Sequence, residues 1–483
     1  MLDQQANTST VAARDGAPSA TDGVAHGFTP PILPKLPDGA PTWKRLATTL
    51  ANPVAAFPEA LFKEPVLVNE GSRLKNAYVC DPEILDEVLL KRAKDFAKTE
   101  INARVFRPAL GEGLLSAEGE DWRWKRRLAA PTFAPTTLAK LAPAFVAPFD
   151  ALAERWASMQ PAGPEAGQTV DVSAAMIDAT LDVIERVLFE DPSEMDQGLI
   201  ARELETYLQP MSWVVVSVLM RWPRWAPYPG KRRQFKARDR MRAAVLDVVR
   251  RRRERLAAGE APADLTSALI EARDPESGRP LSDDDMVDLL LTLVAAGHET
   301  TAHSMSWTLY CLAHQPELQD ALAEEARAAE EGGPLGARSM NALPGAEAAV
   351  KETLRLYPVA PLMARTCLKD ERFGDIDLPA GSMVSVPIYA LHRHETLWER
   401  PNDFDITRFL GRKDPPRTVY MPFGAGPRVC IGARMAMMET TLGLAALLRR
   451  VRLEPCADTV FDPLHRVTLR PRDGLQLRVS PRH

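Results

Sequence analysis

The sequence predicts a mainly α fold with small β-sheets, and three observations carry that prediction. Apolar residues recur at helical spacing through most of the chain, and strand-like runs are few and short. The composition, 45% hydrophobic and 26% charged over 483 residues, is that of a chain with enough apolar material for a large core. In order, helices are expected over Pro82–Ala93, Trp122–Arg127, Val170–Leu188, Lys236–Leu256, Ser282–His314, Pro316–Ala329, Gly345–Leu356 and Ala433–Arg450. Strands are expected over Val66–Asn69, Asn76–Cys80 and Ser382–Ile388, enough for small sheets beside a helical body.

Residues 1–41 are rich in Ala, Thr, Asp, Gly and Pro, with neither the apolar core of a signal peptide nor the ~20 apolar residues of a membrane anchor. A disordered leader is expected there. No repeat, heptad run or Ser/Gly linker divides residues 42–483, so one domain is expected. The most apolar stretch, Met211 to Met220, has about half the length that spans a bilayer. The five cysteines are scattered and odd in number, unlike a disulfide framework or thiolate metal cluster, which suits a reducing compartment. Together these features predict a soluble, cytoplasmic protein. With 60 Lys plus Arg against 65 Asp plus Glu, the net charge of −5 excludes a nucleic-acid-binding excess. The basic run Arg250–Arg253 continues a helical pattern and reads as a solvated face. Gly332–Gly336, without a flanking strand, reads as a surface turn rather than a phosphate loop.

The sharpest local feature is Phe423-Gly424-Ala425-Gly426-Pro427-Arg428-Val429-Cys430-Ile431-Gly432, just before a strongly helical segment. Gly424 and Gly426 permit backbone angles closed to other residues, and Gly432 removes bulk where a flat ligand could approach. A helix starting after Cys430 points free N–H groups at the sulfur, favouring a thiolate. Such a sulfur is a good axial ligand for haem iron.

This motif resembles the cysteine-ligand signature of the cytochrome P-450 superfamily, the haem-thiolate monooxygenases. Further matches extend the resemblance from about residue 45 to the C-terminus. Ala296-Gly297-His298-Glu299-Thr300-Thr301 lies in a helix that Ser282 and Asp285 can start as a capping box. It resembles the family's oxygen-activating centre. The resemblance implies that Ala296 and Gly297 border the haem, Gly297 leaving space over it. It also implies that Thr300 hydrogen-bonds dioxygen or a water, and that Glu299 feeds protons towards it. A zinc reading of His298-Glu299-Thr300-Thr301-Ala302-His303 fails on spacing. Zinc binding by HExxH needs histidines four apart, whereas these are five apart and diverge by about 140° at 3.6 residues per turn. His298 and His303 are therefore expected to be helix-face residues.

Glu352-Thr353-Leu354-Arg355 places a carboxylate and a guanidinium on one helix face. The resemblance implies that Glu352, Arg355 and the downstream Arg408 form a buried charged triad fixing the segment that leads to Cys430. It also supplies partners for the two haem propionates: Trp122 and Arg126 of a WxxxR pattern, Arg365, and Arg428 two residues before the ligand. Phe423, Gly424 and Gly432 complete the expected cofactor contacts. Haem b with an axial thiolate from Cys430 is thus the expected cofactor, and Cys430 the expected metal ligand.

Substrate identity is expected to be set by Asn102–Leu115, Tyr207–Met220, Leu290–Ala296 and Val359–Met363, whose apolar character implies a hydrophobic small-molecule substrate. Trp222–Pro227 either rims an access channel or caps a helix pair. The expected reaction inserts one oxygen atom of O2 into the substrate by hydroxylation or epoxidation. About 30 residues follow residue 450, no room for a redox domain, so electrons are expected from a separate ferredoxin or flavodoxin with its reductase. Arg123, Lys125, Arg127, Arg412, Lys413, Arg417 and Arg434 are expected to form the cationic face that receives it. Two alternatives stand beside this reading. A peroxide-using or isomerising haem-thiolate enzyme commonly lacks the acid-alcohol pair that Glu299 and Thr300 retain, and a non-catalytic haem-binding sensor lacks any visible partner segment here.

Overall fold

The computed structural model describes residues 28–69, 75–159, 167–189, 196–260, 262 and 264–482. Helices dominate, and the longest, Asp283–Ala313, runs through the interior. Ser282 caps it as expected. Its hydroxyl accepts from Asp285 N at 3.1 Å, while the Asp285 carboxylate accepts from Ser282 N at 3.2 Å. Three aspartates, 283 to 285, complement the positive end of the helix dipole. At ~1.5 Å per residue this central helix reaches about 46 Å, long enough to serve as an axle for the molecule.

The helix Val172–Leu188 packs closely along the axle, and two side-chain features set the fit. A Cβ at Gly297 would stand 2.9 Å from Ile184 Cδ1, so glycine lets the helices meet without moving the end of that side chain. The Thr180 hydroxyl donates to the carbonyl of His298 at 2.9 Å, fixing the register. One hydrophobic cluster, with members from Leu33 to Val479, surrounds the axle.

The largest sheet has five strands in the order Val66–Asn69, Asn76–Val79, Met383–Val386, Met363–Cys367 and Phe96–Lys98. Its last pair is antiparallel and sets Lys98 opposite Arg365. A three-stranded sheet joins Gln168–Asp171, Gln476–Pro481 and Val451–Glu454. The hairpin Pro463–His465 with Leu469–Pro471 reaches back to the axle, where Trp307 Nε1 donates to Leu469 O at 3.0 Å.

Several expectations need correction. Residues 1–27 of the expected leader lie outside the described residues, but 28–36 pack on the body. Phe28 stacks on His314 at 4.8 Å, Thr29 donates to Asp403 at 2.6 Å, and Tyr357 donates to Pro31 O at 3.3 Å. The Arg250–Arg253 run is not wholly solvated. Arg252 is fully buried, bonded to Asp264 and Ser267, and Arg253 pairs with Asp283 at 2.7 Å. Helicity over Pro82–Ala93 breaks after Asp86 into a wider turn at Glu87–Lys91. Pro135–Ala157, not expected as a helix, is one of 23 residues that tolerates Pro143 and Pro148 because packing overrides propensity. No helix among the described residues is long and apolar enough to cross a membrane.

Candidate active site

The cysteine loop is shaped by two left-handed glycines. Gly424 has φ +75° and Gly426 φ +73°, and a Cβ at Gly426 would collide with the carbonyl oxygen of Leu89. Gly424 N donates to Met421 O and Cys430 N to Phe423 O, both at 2.9 Å, which closes the loop and turns the thiol outward from it. The helix Ala433–Leu448 follows at once. A Cβ at Gly432 would lie 4.0 Å from the sulfur, so glycine keeps a side chain from lying against the thiol.

Cys430 is exposed on the cavity side yet walled by protein elsewhere, and burial pushes its thiol up from the ordinary value. The Gly432 N–H and the Arg126 charge pull it down by less. The helix start is thus not enough by itself to favour a thiolate: burial outweighs the Gly432 N–H and the Arg126 charge. Deprotonation therefore needs a cation bound at the sulfur, as metal coordination provides.

Arg126 is the charge that faces this thiol, and Arg428, Arg365 and Lys98 form a linked group of cations with it, faced by Glu118. Burial lowers the Arg126 guanidinium, which the neighbouring Cys430 raises. Burial likewise lowers Arg365, and it takes Arg428 down to about 10, with Arg365, Arg123 and Arg126 as repelling neighbours. The Arg428 guanidinium lies 4.0 Å over the Trp122 ring and donates to Ala117 O at 2.8 Å. Lys98 is the fourth. Burial first, then Arg428 and Arg365, bring its ammonium to about 7, while Glu118 and Glu112 oppose this weakly. Lys98 also donates to Leu115 O. Cations so depressed by burial and mutual repulsion are short of negative charge. A flat group bearing two carboxylates and a metal that accepts a thiolate fits these residues: the carboxylates supply the missing anions and Cys430 the ligand.

Trp122, Arg126, Arg365, Phe423, Gly424, Arg428, Cys430 and Gly432 thus share one loop and its cationic surround. Lys98 was not foreseen. It sits in a three-residue strand with no motif, and only the pairing of that strand with Met363–Cys367 brings it to Arg365.

The central helix supplies the second half of the site. Met286–Val294 and Thr301–Ala313 are entirely buried, whereas between them Ala295, Ala296, Gly297, Glu299 and Thr300 are not, and Ala296 is exposed. An accessible window in an otherwise buried helix marks a cavity beside it. Ala296 faces that opening. Gly297, in the same accessible window, also borders Ile184 of the neighbouring helix. Thr300 Oγ1 donates to Ala296 O at 2.7 Å. Glu299 accepts from Thr468 Oγ1 at 2.8 Å and lies 3.5 Å from His303 Nε2 and 3.7 Å from Arg470 Nη1. Burial works to raise its carboxyl, but His303, Thr468 and His298 hold it down at about 2. No group of three or more metal-ligating side chains occurs among the described residues.

Glu352, Arg355 and Arg408 meet as expected. Arg355 grips Glu352 through two bonds of 2.7 Å, and Arg408 Nε stands 3.3 Å from Glu352 Oε1. Arg355 also donates to the carbonyls of His392, Pro401 and Asp403 at 2.7–2.8 Å. The unforeseen link is His392. Its Nε2 accepts from Met421 N at 2.9 Å and its Nδ1 faces Arg355 O at 3.2 Å, so it must be neutral with the proton on Nδ1. Complete burial first, then Arg355, depress it to about 3. The triad reaches the cysteine loop through this imidazole.

Lys98 and Glu118 also line a cavity of about 560 Å³ together with Asn102, Glu112, Lys125 and Asp288, among others. Its charged lining suits water better than an apolar substrate. Of the expected docking cations, Lys125 is buried against Asp121 and Asp285 at 3.0 Å. Arg127 is ringed by Asp274, Glu276 and Glu120 at 3.1–3.6 Å, and Arg123 pairs with Glu120 at 3.1 Å. Arg412, Lys413, Arg417 and Arg434 are exposed.

Residues 50–479 match the family model described as Cytochrome P450. The cytokinin hydroxylase of Arabidopsis thaliana is 29% identical over 408 residues, covering 83% of this chain and 78% of that protein. The cyclooctat-9-en-7-ol 5-monooxygenase of Streptomyces melanosporofaciens is 30% identical over 388 residues, with 79% and 81% covered. Among solved structures, the heme domain of cytochrome P450DA superposes with a TM-score of 0.79 at 25% identity, over 93% of this chain and 98% of that one.

Proposed function

The chain belongs to the cytochrome P450 family, and from that premise we propose the roles of its site residues, its substrate class and its electron donor. It is a haem-thiolate monooxygenase that uses O2, a hydrophobic substrate and a redox partner. Haem, when bound, supplies an iron centre at which O2 is reduced by two electrons and one oxygen atom passes to the substrate.

Every other part belongs to the chain. Cys430 is the axial ligand, and the observation that carries this is the thiol's place in the glycine-shaped loop next to the Arg126 charge, beside a cluster of Arg428, Arg365 and Lys98 that Glu118 only partly offsets. Lys98, Arg365 and Arg428 hold the propionates, with Trp122 fixing the plane of Arg428 and Arg126 facing the sulfur. Ala296 leaves room on the opposite side. Thr300 Oγ1 holds the proton nearest the reacting oxygen, and the Glu299 carboxylate, held ionised by His303, Thr468 and His298, takes up a proton only in passing and hands it on. Since Thr300 is bonded to Ala296 O and Glu299 to Thr468, both side chains must rotate to pass protons inward.

Both relatives named above are a hydroxylase or monooxygenase by name, which favours hydroxylation of an apolar molecule at a C–H bond. The five cysteines are unpaired, which supports work in the reducing cytoplasm. The donor is a ferredoxin or flavodoxin, received by Arg412, Lys413, Arg417 and Arg434 rather than by the neutralised cations of the helix Gly119–Ala129.

Cys430→Ala tests the centre of this reading: it should abolish the thiolate-type spectrum of the reduced carbon monoxide complex. Cys80, Cys311, Cys367 and Cys456 should each be replaceable without that loss. An unchanged spectrum in Cys430→Ala would falsify the ligand assignment, and turnover driven by peroxide but not by reductant would favour the peroxide-using alternative.

A further inference from the structure

We propose that His303 is a positioning residue for proton delivery, setting the charge and direction of Glu299; this rests on the reading of Glu299 as the inner proton donor. His303 is 2% exposed, and neither ring nitrogen has a hydrogen-bond partner among the described residues. Buried polar groups are rarely left in that state. The one group within reach is Glu299, one helical turn earlier, with its Oε1 3.5 Å from His303 Nε2. The order is favourable: an acid N-terminal to a cation at i,i+4 is the better orientation on a helix. A protonated ring directs Nε2–H at the carboxylate and closes the contact; a neutral ring with its proton on Nδ1 offers nothing.

The charged groups facing this pair are few. Arg470 approaches Glu299 from the hairpin at 3.7 Å, and His298 faces both from the same helix. Thr468 adds a neutral donor at 2.8 Å. Glu299 is therefore held by Thr468 and Arg470 from the hairpin and by His303 and His298 from its own helix. His303 is the tether whose strength depends on its proton, and it fixes where the carboxylate starts each rotation towards Thr300.

Two measurements decide it. The ferrous carbon monoxide form is diamagnetic, so the eight histidines can be followed by NMR with labelled imidazoles, His303 being identified by its loss in His303→Gln. In Glu299→Gln the His303 ring nitrogen and carbon resonances should move from their wild-type positions, because the carboxylate 3.5 Å from Nε2 is gone. In turnover, His303→Leu should raise the peroxide formed per reductant consumed. His303→Gln, whose amide keeps a donor, should restore coupling. Unmoved His303 resonances in Glu299→Gln, or a His303→Leu enzyme as coupled as the wild type, overturns the proposal. If Glu299→Gln itself stays fully coupled, the proton-donor reading has failed, and the NMR result still reports separately on the His303 contact.

Discussion

Lys98 makes haem binding a proton-uptake reaction. In the haem-free protein its ammonium lies at about 7, because burial and the charges of Arg428 and Arg365 disfavour it. Two carboxylates docking among these cations reverse the repulsive part and return the group towards its ordinary value of ~10.4. At pH 8 a group of pKa about 7 is only about one-tenth protonated, so restoring it draws in about 0.9 of a proton; at pH 6 the uptake is about 0.1. Thiol deprotonation at Cys430 releases a proton in the opposite sense, but equally in a Lys98→Met variant. The difference between the two proteins isolates the lysine. Calorimetric titration of haem into haem-free protein, repeated in buffers of different ionisation enthalpy, counts the protons directly. The wild type should take up about 0.9 proton more than Lys98→Met at pH 8, and the gap should nearly close at pH 6. Equal proton counts at pH 8 would refute the placement of Lys98 in the propionate site.

Thr300→Ala should keep haem and substrate binding but divert reductant to peroxide, by roughly the 10²–10⁴-fold range within which general acid catalysis acts; product per NAD(P)H consumed checks it, and unchanged coupling moves the proton path elsewhere. His392 sits below its unfolded value of ~6.5, at about 3, so its stability contribution is full above pH 6.5 and is lost as pH falls towards 3. Between pH 7.5 and 4.5 this amounts to about 2.7 kcal/mol at ~1.36 kcal/mol per unit. His392→Gln keeps a donor and an acceptor without titrating, and urea unfolding should show it losing that much less stability over the interval; parallel losses would mean that His392 is not held neutral. Reduction by an acidic ferredoxin should slow as salt rises, and Lys413→Glu with Arg417→Glu should slow it further, whereas Arg127→Glu should have little effect because three carboxylates already surround that arginine. A flat salt response argues against an acidic donor.

What the sequence disclosed and what it withheld divide along a physical line. Cys430, Gly424 and Gly426 are legible because their relation is local: two left-handed glycines and a following helix determine how the thiol is presented, whatever packs outside. The central helix was legible for the same reason, from its Ser282 cap to His314, since capping and periodicity act over one or two turns. Lys98 and His392 were not. Lys98 gains its meaning from an antiparallel pairing with Arg365, 267 positions away, and His392 from accepting the N–H of Met421. Neither carries a local pattern. Lys125 failed in the other direction, a surface-looking cation whose partners Asp121 and Asp285 lie partly on another helix.

Gly297 and Ala296 show how finely a motif must be read. Both are small and adjacent, and a sequence alone offers each the same role of yielding space. On a helix they point about 100° apart, so Ala296 opens the cavity, while Gly297, in the same accessible window, also lets Val172–Leu188 close on the axle. A Cβ at 297 would first meet the flexible end of Ile184. If proton delivery runs through Glu299 and Thr300, Gly297→Ala should change coupling only as far as the helix shifts to clear Ile184, while leaving Cys430 and its cations in place.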